Sequence, residues 1–353
     1  MNLGGWRLVT GTTRLKSAVF SLLVAMAAAP AEAALTEGPR LAAVYDAILD
    51  ARFDRVDALL KQACPPAPSE ACQAFAVESL WWQILINPES RALDDRFAAL
   101  AARAIAASEA WTRREPRRGE AWFYLAGAYG PLVQWRVLRG HHFAAAREGK
   151  RIKVALERSL ELDPTLDDAY FGIGLYHYYA NVAPAALKML RWLLLLPGGD
   201  RVAGLQEMLQ GRERGQLLKG EADYQLHFIY LWYERRPDQA LALLGRLDAR
   251  YPGNPLFLRR IAEIRQTLRD HSDGAAAWQL LLDRARAGSV YAARATEVRA
   301  RLGLASTLTS MNQIDAAVEH LKMVIDMRPI DPNGALALAE QQLRATRARV
   351  RTR

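Results

Sequence analysis

A chain of 353 residues, half of them hydrophobic, has enough apolar side chain to bury one or two sizeable cores. Its formal net charge of +9 is spread over most segments and condenses only at the end, in Arg344, Arg347, Arg349, Arg351 and Arg353; such a tail reads as a solvated helix end, and its functional alternative is an anionic lipid or envelope polymer, with no nucleic-acid partner expected. The only two cysteines form no paired CxxC set for zinc and stand too far apart for a redox motif.

Taken in chain order, the first element is a leader. Arg7, Arg14 and Lys16 precede an uncharged run from Ala18 to Ala29, then Pro30 and Ala31-Glu32-Ala33. That layout predicts a secretory signal peptide, residues 1–33, because about a dozen apolar residues fall short of the roughly 20 that span a bilayer. No cysteine follows for lipid attachment and no paired arginines are present, so the general secretory route and a periplasmic or secreted mature chain are expected. Cys64 and Cys72 flank a Pro-rich loop; in an oxidising compartment this spacing predicts a disulfide between them.

From residue 34 to 331 almost every window carries apolar residues at helical spacing, without alternating runs, so the fold class is all-α. Residues 40–63 and 70–115 read as two degenerate helical hairpins. First helices then follow at Trp122-x2-Leu125-Ala126-x2-Tyr129, Tyr170-x2-Ile173-Gly174, Leu258-x2-Ile261-Ala262 and Leu304-Ala305-x2-Leu308. Second helices read Ala240-x3-Leu244-x2-Leu247 before Pro252, Gly274-x3-Trp278, and Ala317-x3-Leu321-x2-Val324 before Pro329. Tyr224 and Leu258 are 34 apart, as are Arg301 and Ala335. Trp122 to Tyr170 is 48 and Tyr170 to Tyr224 is 54, which implies insertions. The second insertion, near 181–199, holds the apolar stretch 184–196. Residues 332–353 read as a polar capping helix and basic tail.

These units resemble the tetratricopeptide repeat (TPR) superfamily across about residues 40–345, through its W-x2-L-G-x2-Y, A-x3-F and Pro pattern. The resemblance implies a right-handed α-solenoid of five or six hairpins from an exported bacterial protein, a non-catalytic scaffold that binds a protein or peptide through the concave face lined by first helices. Groove-facing slots counted from the anchors hold Phe123, Phe171, Tyr178, Gln225 and Trp232, whose rings offer area to a partner; packing against inserted segments is the competing role. A second reading is a membrane- or lipid-associated adaptor that uses the apolar stretch 184–196.

Residues with catalytic potential read as structural. Gly198-Gly199-Asp200 lacks the Lys-Ser/Thr of a P-loop, so Asp200 is expected to cap the next helix. Asp167 and Asp168 read as first-turn acids that favour a helix dipole. None of the six histidines has another three or four residues away, the spacing of metal ligands on one helix face. No nucleophile elbow is present. Neither an enzyme nor a cofactor or metal is therefore expected.

Overall fold

The computed structural model describes residues 35–182 and 198–351. The expected signal peptide and the apolar stretch 184–196 lie outside the described residues. Among those described there are fifteen α-helices and no strand. In chain order they are α1 (Gly38–Leu49), α2 (Phe53–Ala63), α3 (Ser69–Ile86), α4 (Asp94–Arg114), α5 (Gly119–Leu138), α6 (His142–Leu162), α7 (Asp167–Val182), α8 (Arg201–Arg214), α9 (Lys219–Phe228), α10 (Pro237–Arg250), α11 (Pro255–Thr267), α12 (His271–Arg286), α13 (Ala293–Ser310), α14 (Ile314–Met327) and α15 (Ala335–Arg351). They pack in consecutive pairs, α1 with α2 through α13 with α14, and α15 closes against α14.

Two turn types recur along the chain. Within pairs the first helix ends on a residue in the left-handed region, at Ala51, Gly140, Arg235, Arg269 and Asn312. The next amide then reaches back to a first-helix carbonyl, as in Arg52 to Ala47, His141 to Arg136, Asp270 to Arg265 and Gln313 to Leu308. This arrangement satisfies carbonyls that the helix end leaves free. Between pairs the chain turns through Glu115-Pro116, Asp163-Pro164 and Tyr251-Pro252, where proline cannot continue a helix. In each of these turns the amide three residues on closes back, Arg118 to Glu115, Leu166 to Asp163 and Asn254 to Tyr251.

The repeated positions are the core. Ala240, Leu244, Ala262, Ala305, Ala317, Leu321 and Val324 are fully buried, and Leu258 and Trp278 nearly so. Small residues let paired helices approach, and each buried Leu stabilises by roughly 1.5–3 kcal/mol. The 48-residue spacing is absorbed by length rather than by a loop, since α5 has 20 residues and α6 has 21, joined by Gly140. The pair α7–α8 approaches closely at its glycines. A Cβ on Gly204 would lie 2.6 Å from the Tyr178 amide nitrogen, and one on Gly211 would lie 2.6 Å from that of Phe171. Backbone therefore touches backbone here.

Later helices also bond to the first ones. The Asn254 side chain donates to the Leu49 carbonyl at 2.8 Å, and Arg259 to that of Ile86 at 3.2 Å. Arg299 donates to Asn87 at 2.6 Å, and Thr36 to Glu120 through its amide at 2.8 Å. The Trp82 ring sits 5.1 Å from Tyr224 and 5.9 Å from Phe257, centroid to centroid. Helices α1 and α3 thus lie against the first helices α5, α9 and α11 and reach the start of α13.

Cys64 and Cys72 form the expected disulfide, which closes the α2–α3 turn.

Candidate functional site

The four rings placed in groove slots separate into two environments. Phe123 is 6% exposed and packs edge-on to Tyr124 in the main core. Phe171 and Tyr178 are buried together in a smaller core with Met208, Leu226 and Ile229. Trp232 is 61% exposed. Only Trp232 can meet a partner without rearrangement. Gln225 turns inward, its amide donating to Glu221 at 2.8 Å and Gln134 at 3.0 Å.

Trp232 stands on a short π-helical continuation of α9, Ile229–Tyr233. The extra residue in this turn makes the closing bond run from Arg236 to Tyr230, one residue longer than its counterparts, and π turns of this kind are enriched at functional sites. The next residue, Tyr233, packs edge-on to Tyr178 and Tyr179, with centroids at 5.9 and 5.7 Å. Tyr178 donates its hydroxyl to Glu234 at 2.5 Å, and Arg201 donates to the same carboxylate at 2.9 and 2.7 Å. The Arg201 hydrogen bond holds the Glu234 carboxyl below its ordinary range. Burial, then Glu234, raises the Tyr178 hydroxyl, so it remains a donor. The two residues that follow the exposed indole, Tyr233 and Glu234, are therefore tied to α7 and α8. Glu234 and Arg201 went unnoticed in the sequence because they are brought together only by tertiary packing.

Asp200 caps α8 as expected, accepting from Val202 at 2.8 Å and Ala203 at 3.0 Å. Asp167 and Asp168 do stand in the first turn of α7, but Asp168 does more. Its carboxylate accepts the amides of Gln216, Leu217 and Leu218 at 2.7, 3.0 and 2.8 Å, just ahead of α9. Burial raises its pKa against the opposing pull of these three donors.

His177 and His227 do not face one another. His177 meets Glu207 at 2.7 Å, whereas His227 is 1% exposed and burial pushes its pKa down to about 3, so it is neutral. Among the described residues no three His, Cys, Asp or Glu side chains converge as metal ligands, and no helix is long and apolar enough to cross a membrane. An enclosed cavity of about 10 Å³ lies between Ile86, Arg259 and Thr296, room for a single water. An open depression of about 510 Å³ lies between Ala292–Ala295 and Arg328–Asp331. No family model and no curated protein matches the chain.

Proposed function

We propose that this chain is a non-catalytic binding scaffold of TPR type, a right-handed α-solenoid exported to the bacterial cell envelope, where it engages a protein or peptide partner. The alternation of one turn type within pairs and another between them supports the repeat reading, and the disulfide is compatible with an oxidising compartment. The observation that carries the binding role is Trp232, an exposed indole whose chain neighbour Tyr233 packs edge-on to Tyr178. Large aromatic side chains on rigid elements make binding hot spots because they bury much area at low entropy cost. In this reading Trp232 contacts the partner, while the buried Tyr178, Phe171 and Phe123 hold the surrounding helices in register.

The test is site-specific photocrosslinking in envelope fractions from position 232, with exposed Leu268 on α11's end as the control position. A discrete adduct from 232 alone is expected, with affinity for the isolated partner weakened by about 1–3 kcal/mol in Trp232→Ala. Equal adducts from both positions, or undiminished binding by Trp232→Ala, would remove Trp232 from the site.

A further inference from the structure

Where α1 and α3 meet α9, two carboxyl groups share one hydroxyl. Tyr45 of α1 lies 3.1 Å from Glu221 Oε2 and 3.4 Å from Glu78 Oε1. Tyr45 and Glu221 are 2% and 6% exposed, and Glu78 is partly buried. Trp82 donates its indole N–H to Glu78 at 2.9 Å, and Gln225, itself tied to Gln134 of α5, donates to Glu221 at 2.8 Å. A hydroxyl has one proton and cannot donate to two carboxylates at once. Both contacts are hydrogen bonds only when one carboxyl is protonated and donates to Tyr45 Oη while Tyr45 donates to the other.

We propose that Glu78, Tyr45 and Glu221 form a proton-dependent latch, which holds the N-terminal helices α1 and α3 against α9 while a carboxyl is protonated and loosens as pH rises. The inference stands whether or not Trp232 is the partner site.

The electrostatics around the cluster have one sign. Burial, then the charge of Glu221, raises the Glu78 pKa, and burial raises that of Glu221. Burial and both acids raise the Tyr45 hydroxyl, which stays protonated. Gln134 contributes no charge from α5. From α11, Arg259 and Arg260 face Tyr224, and each also lies beside Glu263. On α9, His227 is neutral. Asp46 of α1 is turned to Arg250 and Tyr251 at 3.1 and 2.6 Å. Neither latch carboxyl has an ion-pair partner among the described residues.

The sign of the pH effect follows from linkage. Opened to water, the carboxyls return to their ordinary pKa and release the proton that the closed state retains. Closure is therefore full below the ordinary carboxylate pKa and weakens as pH rises toward the raised values. Across that window the opening constant grows about tenfold per pH unit for each proton released, and above it levels off. His227 acts oppositely: its depressed pKa contributes stability that is lost as pH falls from the ordinary histidine value, so the two effects are separable.

Hydrogen exchange of the intact mature chain, read by mass spectrometry from about pH 5 to about pH 9 and corrected for intrinsic rates, is the test. Peptides of α1 and α9 should lose protection as pH rises by about tenfold per unit within the window, and peptides of α14 should not. Glu78→Gln with Glu221→Gln should abolish the loss of protection with rising pH and leave only the opposite effect of His227. A flat profile in the wild-type chain, or an unchanged slope in the double variant, would overturn the latch. Should the double variant fail to fold, infrared spectra decide: a protonated carboxyl C=O band that persists above the ordinary carboxylate range and is altered in the single variant Glu78→Gln is required, and its absence refutes the proposal.

Discussion

Asp168 illustrates how a single side chain can organise a junction. Its two oxygens accept three successive amides that no helix hydrogen bond serves, and an unsatisfied buried donor costs about 1–3 kcal/mol. Asp168→Ala should therefore lower stability by at least about 2 kcal/mol in urea unfolding, with Asp168→Asn recovering part of it through its remaining oxygen. Trp232 is the opposite case. Its exposed ring leaves Trp232→Ala within about 0.5 kcal/mol of the wild-type stability, so any loss of binding will be a surface effect. The Cys64–Cys72 bridge spans a separation of 8, and closing so short a loop contributes about 2–3 kcal/mol on the chain-entropy model. Cys64→Ser with Cys72→Ser should lose that amount, and non-reduced mass spectra of the wild-type chain should show no free thiol.

At the scale of elements, the turns and the glycines make contrasting demands. Ala51, Arg235, Arg269 and Asn312 occupy the left-handed region that glycine fills at Gly140, at about 1–2 kcal/mol each for a residue with a Cβ. Replacing Ala51 by Gly should relieve this strain, offset by the freer unfolded chain, for a net gain of up to about 1 kcal/mol in thermal or urea unfolding. Gly204→Ala and Gly211→Ala should do the reverse, since each new methyl meets Tyr178 or Phe171 backbone and must separate α7 from α8, at about 1–3 kcal/mol. Much of this level was legible in the sequence. The repeated Ala, Leu and Val positions are the buried ones, and Pro252 and Pro329 do follow the ends of α10 and α14. The lengthening of α5 and α6 has the sequence signature of an insertion, because spacing between anchors does not distinguish a loop from about two extra turns in each helix. Register alone places Phe171 and Tyr178 in a groove, but it carries no information on how closely α8 covers α7.

At the largest scale, the first helices are tied to later ones by contacts that no local pattern encodes, for Asn254 and Leu49 are 205 residues apart. A row of pairs read from the sequence presents first helices to solvent, whereas here α1 and α3 lie against them. Two kinds of tie meet at the α10–α11 turn and allow the source of this attachment to be tested. Arg250 and Asp46 form an ion pair whose side chains are 58% and 47% exposed, a geometry worth about 0–1 kcal/mol and screened by salt. Asn254 is fully buried, donating to Leu49 and accepting from the Leu256 amide at 3.0 Å to cap α11. Removing a cap costs about 1 kcal/mol, and leaving the Leu49 carbonyl without its donor adds about 1–3 kcal/mol. Asn254→Ala should thus destabilise by about 2–4 kcal/mol and expose α1 to hydrogen exchange, while Arg250→Ala should stay within about 1 kcal/mol of the wild type. The reverse order would mean that surface charge holds the N-terminal helices in place, and they would then detach in high salt; insensitivity of α1 protection to salt is the outcome that the buried tie requires.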